Sequence, residues 1–119
     1  MKKNGLLIAS IILLLSLKGL YANKSDVEII VPDTAVKGSE IVIKINVTHS
    51  ANNFMHHTQW AYIKVDGKEL GRWEYPFDNA DFSKEVKVVV TGDLNIEAMA
   101  NCNIHGSTGI KNKTVKTDK

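Results

Sequence analysis

The chain has 119 residues, 15 of them basic and 13 acidic, with a single cysteine and four histidines. That length suits one domain, and a lone cysteine excludes an internal disulfide. Three lysines and no acids fall in the first 22 residues, which leaves 12 basic residues against 13 acidic in the rest, so no basic cluster remains to favour nucleic acid.

The N-terminal segment reads as an export signal. Met1-Lys2-Lys3-Asn4 is a basic start, Gly5 to Leu17 is a 13-residue apolar run, and Lys18-Gly19-Leu20-Tyr21-Ala22 ends on a small residue suited to cleavage. The run is shorter than the roughly 20 apolar residues of a membrane helix. Residues 1–22 are therefore expected to be a cleaved signal peptide that delivers the rest of the chain to the periplasm; the alternative is an uncleaved N-terminal anchor. A free thiol outside the cytoplasm is chemically vulnerable unless it is buried or bound to a metal.

Strand patterns fill the remainder. Val27 to Val31 is a short apolar run closed by Pro32-Asp33, and Lys37-Gly38-Ser39 reads as a turn. Glu40 to Thr48 alternates, with Ile41, Ile43, Ile45 and Val47 on one face. Gln59 to Val65 and Lys68 to Tyr75 flank Asp66-Gly67, a hairpin signal. Pro76 to Asp81 reads as a loop. Phe82 to Val90 is a β-branched run ended by Thr91-Gly92-Asp93, and Leu94 to Ala100 precedes the cysteine. Ile110 to Lys119 is polar and lysine-rich and is expected to be a frayed tail, so that residues 23–109 make the domain. Six or seven short strands without a helical period predict an all-β, immunoglobulin-like sandwich. Trp60, Trp73, Tyr62 and Phe54 are expected in its core or in the wall of a site.

All the nitrogen and sulfur ligand candidates lie in two stretches: His49, His56 and His57 in one, Cys102 and His105 in the other. Loops at one end of a sandwich converge in space, so one metal could collect ligands from both. In Cys102-Asn103-Ile104-His105 two residues separate thiol from imidazole, and Gly106 can turn the chain away at positive φ. Imidazole suits iron, copper, zinc and nickel, and a thiolate adds softness. The plainer readings are surface histidines at 56 and 57, a turn residue at His49 and a small core side chain at Cys102.

His49, His56-x-x-x-Trp60 and Cys102-Asn103-x-His105-Gly106 together resemble the superoxide reductase family, the iron-binding domain of desulfoferrodoxin and neelaredoxin. The family pattern reads His-Pro-x-x-x-x-His-x-x-x-Trp and, later, Cys-Asn-x-His-Gly. The second motif is matched in full. In the first, Ser50 replaces the proline and the loop is one residue longer. The resemblance implies a seven-stranded immunoglobulin-like sandwich and one non-haem iron. Four equatorial histidines and an axial cysteine would hold that iron, with an open position opposite the sulfur. It implies one-electron reduction of superoxide to hydrogen peroxide, using electrons from a donor protein. Carried over by position, His49, His56 and His105 are equatorial ligands and Cys102 is axial. The family's upstream Glu-Lys-His segment has no counterpart, since no histidine precedes His49, and His57 is the spare histidine for an additional ligand. Two other readings fit the same residues: a periplasmic blue-copper-like electron-transfer protein, and a non-catalytic metal-binding module. Homo-oligomerisation stays open.

Overall fold

In a computed structural model, residues 24–74 and 79–118 are described. The expected signal peptide, and Tyr75 with the first half of the loop after it, lie outside them. Eight strands follow in chain order: β1 (Asp26–Ile30), β2 (Thr34–Val36), β3 (Glu40–Thr48), β4 (Thr58–Val65), β5 (Lys68–Glu74), β6 (Phe82–Val89), β7 (Leu94–Cys102) and β8 (Lys111–Asp118). They form two sheets, one of three strands in the order β1-β3-β6 and one of five in the order β2-β8-β7-β4-β5. Among the described residues, no helix is long and apolar enough to cross a membrane.

The strand count corrects the expectation of seven. β2 escapes sequence reading because it has three residues and only Ala35 is buried. β8 occupies the stretch expected to fray. Only Val115 in it is fully buried, yet the strand runs antiparallel to β7 and parallel to β2. Backbone pairing holds this strand where hydrophobic patterning is nearly absent.

One apolar cluster joins the two sheets. It takes Ile43, Ile45 and Val47 from β3, Ala61, Ile63 and Val65 from β4, Leu94, Ile96, Ala98 and Ala100 from β7, and Val115 from β8. The hairpin between β4 and β5 turns on Asp66 at φ 50° and Gly67 at φ 82°. Two consecutive positive φ values match the right-handed twist of the flanking strands. Asn95 N–H donates to Asp66 Oδ1 at 3.0 Å and Asp66 N–H to Asn95 O at 2.9 Å, which ties the turn to β7.

Alternation along β3 and β7 decides where the chemistry sits. On β3 the inward row runs Ile43, Ile45, Val47, and the next step is His49, one residue past the strand and only 7% exposed. On β7 the inward row runs Leu94, Ile96, Ala98, Ala100 and ends at Cys102, 2% exposed. The two strands belong to opposite sheets. Two rows of core side chains thus finish, at one end of the sandwich, in an imidazole and a thiol.

Candidate metal centre

His49 lies just past β3, and its ring is fixed from behind. Its Nδ1 shares a 2.5 Å hydrogen bond with the Ala51 carbonyl. A carbonyl only accepts, so Nδ1 carries the proton and Nε2 is left with the lone pair a metal needs. The backbone N–H of His49 donates to Asp81 Oδ1 at 3.0 Å, anchoring the strand end to the start of β6.

The segment from Asn53 to His57 is a tight turn built by one side chain. Asn53 Oδ1 accepts from Met55 N–H at 3.0 Å and from His56 N–H at 2.9 Å. Asn53 and His56 also exchange backbone hydrogen bonds of 2.9 and 3.2 Å. An asparagine side chain that mimics the backbone in this way closes turns without regular secondary structure. His57 Nδ1 donates to Asn53 O at 3.0 Å. The Nε2 atoms of His56 and His57 are both shielded from solvent. Phe54 and Met55, at the tip, are 94% and 74% exposed. Phe54 is therefore not the core or site-wall residue its aromatic character suggested: the turn that brings in His56 points its tip at solvent.

The cysteine turn is closed by Cys102 N–H donating to Gly106 O at 2.8 Å and Gly106 N–H to Cys102 O at 3.1 Å. Gly106 takes φ +80°, as the reversal requires. The turn aims the backbone N–H groups of Ile104 and His105 at Cys102 Sγ, each at 3.4 Å. Hydrogen bonds of that kind support a ligating thiolate and tune a metal's reduction potential. The turn is also sewn to the N-terminal end of the domain. Ser25 N–H donates to Gly106 O at 3.2 Å, Thr108 N–H donates to Ser25 O at 3.1 Å, and the buried hydroxyls of Ser25 and Thr58 lie 2.7 Å apart.

These pieces bring His49, His56 and Cys102 together, with one ligand atom from each within 4.8 Å of the others. Two ligands on opposite sides of one first-row metal stand about 4 Å apart, from bonds of ~2.0–2.3 Å. The group therefore needs only small adjustment to close on an ion. The rings of His49 and His56 meet edge to face at 4.7 Å, and those of His56 and His105 at 4.9 Å. His105 is the outer member and is exposed. His57 is not part of the three-residue group, and its Nδ1 points to Asn53. Beside His49 opens a cleft of about 370 Å³, lined by Lys24, Asp26, Ser50 and Asp81 among others.

Sequence reading missed two contributors, Asn53 and Asn103. Both act by hydrogen bonds to backbone groups, and such bonds leave no periodic signal. The one hint was that Asn103 sits inside the Cys-Asn-x-His-Gly motif.

A buried thiol grouped with two imidazoles at one end of the two sheets is a donor set of the thiolate–imidazole kind, able to hold a first-row metal. A family model described as desulfoferrodoxin matches residues 21–108, well over half of the chain, and the chain belongs to that family. Among solved structures, it is similar to a superoxide reductase (neelaredoxin) from Ignicoccus hospitalis, with 19% identity and TM-score 0.66 over 80% of this chain and 82% of that one. It is also similar to a putative superoxide reductase from Thermotoga maritima, with 20% identity and TM-score 0.59 over 79% and 86% of the two chains. A CARDB domain from Pyrococcus furiosus, in complex with di-metal ions, shares the fold at 13% identity and TM-score 0.60, over 78% of this chain and 91% of that domain. At such identities the likeness concerns the fold alone. No curated protein matches the chain.

Proposed function

We propose that this protein is a mononuclear non-haem iron protein of the superoxide reductase type, converting superoxide to hydrogen peroxide outside the cytoplasm. The observation that carries the reading is the meeting of His49, His56 and Cys102 within 4.8 Å, beneath two N–H groups aimed at the sulfur. Membership of the desulfoferrodoxin family supports iron as the metal. Bound iron would supply one electron to superoxide, and two protons complete hydrogen peroxide; a donor protein would restore the electron. Cys102, His49, His56 and His105 would hold the iron. His105 lies against the His56 ring and, being exposed, could swing to complete the set.

The chain's own groups prepare the site. The Ala51 carbonyl holds His49 in the Nδ1–H tautomer, so its ligating nitrogen is ready without a proton being displaced. Burial of Cys102 at the end of the core keeps water from the sulfur side. Lys24, in the cleft beside His49, is a cation near a channel an anion could use, with Asp26 and Asp81 opposing it. The basic, apolar and small-residue pattern of residues 1–22 supports export to the periplasm.

Copper is the second reading, because the three grouped residues are a His₂Cys set. Neither nearby methionine supplies the weak axial sulfur of blue-copper sites: Met55 is 74% exposed, and the Met99 sulfur lies 3.9 Å from the Tyr62 hydroxyl. The test is metal analysis of the purified, exported protein, followed by one-electron oxidation. Iron with a red-region thiolate charge-transfer band, bleached by superoxide and lost in Cys102→Ser, is expected. Copper with an intense blue band would replace the iron reading. A colourless, metal-free, folded domain would overturn both.

A further inference from the structure

The grouped ligands come from two loops far apart in sequence, and regular pairing stops short of joining them. β4 and β7 pair as far as Thr58 opposite Cys102, with a register shift between Thr58 and Trp60. Beyond Thr58 lie His57 and His56; beyond Cys102 lies the turn that faces the sulfur. The segments would be free to separate here, where a difference of half an ångström decides whether a metal is held.

Asn103 bridges this gap. Its backbone N–H donates to His57 O at 3.1 Å, extending the ladder by one rung. Its side chain adds two more bonds: Oδ1 accepts from His57 N–H at 3.0 Å, and Nδ2 donates to Met55 O at 3.2 Å. A planar amide offers an acceptor and a donor at once, as a peptide group does, whereas a carboxylate offers acceptors only. The side chain therefore replaces the rung that the backbone cannot make once it turns toward Cys102 Sγ. It grips the residues on both sides of His56. Asn103 is exposed, so its side chain is not there to fill the core.

We propose that Asn103 is a positioning residue that fixes the separation between Cys102 Sγ and the His56 imidazole, and through it the strength of the metal–thiolate bond. The proposal rests on the metal-site reading above. It differs from a general stabilising role because the clasp spans the two ligand-bearing segments, and the core side chain its Oδ1 meets is the ligand itself, Cys102 Sγ at 3.9 Å.

The test uses the full exported domain with Co²⁺ as the probe. Cobalt reports thiolate ligation by a near-ultraviolet charge-transfer band and geometry by its visible bands. Asn103→Ala is expected to weaken Co²⁺ binding about 10–100-fold and to shift the visible bands, which is the scale for loss of an outer-shell partner. Asn103→Asp keeps the acceptor for His57 N–H but not the donor to Met55 O, so an intermediate loss is expected. Hydrogen exchange in the metal-free protein gives a readout independent of loading: the His57 amide should exchange faster in Asn103→Ala and stay protected in Asn103→Asp. Asn101→Ala, which removes only a 3.3 Å bond to Gln59 Oε1, is the control and should leave cobalt binding unchanged. If wild type shows the thiolate–cobalt band and both Asn103 variants keep its affinity and spectrum, the positioning role is overturned and the metal site stands. Without a thiolate–cobalt band in wild type, the site reading falls and the inference falls with it.

Discussion

The Tyr62 hydroxyl donates a 2.8 Å hydrogen bond to Glu97 Oε2, across the ladder between β4 and β7. Burial first, and then this bond, push the Tyr62 pKa up to about 12 from 10.0. A raised folded-state value means that the folded protein keeps its proton when the unfolded chain has lost it. The stability this contributes is whole below pH 10.0 and is lost as pH rises toward about 12. Urea unfolding across that window should show a wild-type midpoint falling more steeply than that of Tyr62→Phe. Parallel curves would show that Tyr62 does not govern alkaline unfolding.

The Ser25–Thr58 hydroxyl pair makes a second prediction. Both residues are buried, so removing one hydroxyl strands the other. Ser25→Ala and Thr58→Val should each cost about 1–3 kcal/mol. The double variant should cost less than the sum, because both polar groups leave together. Chemical denaturation of the four proteins gives the coupling directly, and strict additivity would refute it.

Gly71, on β5, lies under the Trp73 indole. A Cβ there would stand 2.5 Å from Trp73 Cη2, 2.9 Å from Cζ2 and 3.0 Å from Val86 Cγ1. The absence of a side chain leaves room for the Trp73 ring, which packs against the edge of the core. Gly71→Ala should displace the ring, red-shift its fluorescence and destabilise the fold by about 1–3 kcal/mol. An unchanged emission maximum and midpoint would mean that the ring has room to move aside.

The three-residue group ranks the histidines. His56 belongs to it, whereas the His105 imidazole lies outside it, in ring contact with His56, and the His105 backbone N–H faces Cys102 Sγ. His56→Ala should lower Fe²⁺ affinity by more than the ~10–100-fold that an outer-shell partner costs, and His105→Ala, which removes a ligand that must first swing in, by less than His56→Ala. Titration against a competing chelator measures both. Equal losses would make His105 a full partner in the centre.

Much of this was readable in the chain. The alternation Ile41 to Val47 places the inward face of β3, and continuing it two residues reaches His49. Asp66-Gly67 specifies its hairpin because few residues other than glycine and asparagine or aspartate accept consecutive positive φ. Cys102 and His105 declare themselves by type and spacing. β8 stayed hidden because a strand at the rim of the core needs only Val115 facing in. The turn at Asn53 and the clasp at Asn103 stayed hidden for another reason: a side-chain amide that copies a peptide group has no pattern until its partner is known. Phe54 misled because aromatic character forecasts burial, whereas loop tips go where the chain carries them.

The attachment of Ser25 to Gly106 and Thr108 sets an order of assembly. The cysteine turn closes on itself through Cys102 and Gly106 but is braced by a residue at the far end of the domain, so the brace waits for the segment that leads into β1. Contacts this distant along the chain form late, after local hairpins such as β4–β5. On the proposal that residues 1–22 direct export, a chain crossing a membrane N-terminus first would hold Cys102 and Ser25 apart until nearly all of it had emerged. On the same proposal, Cys102 would meet His49 and His56 on the trans side, late in folding.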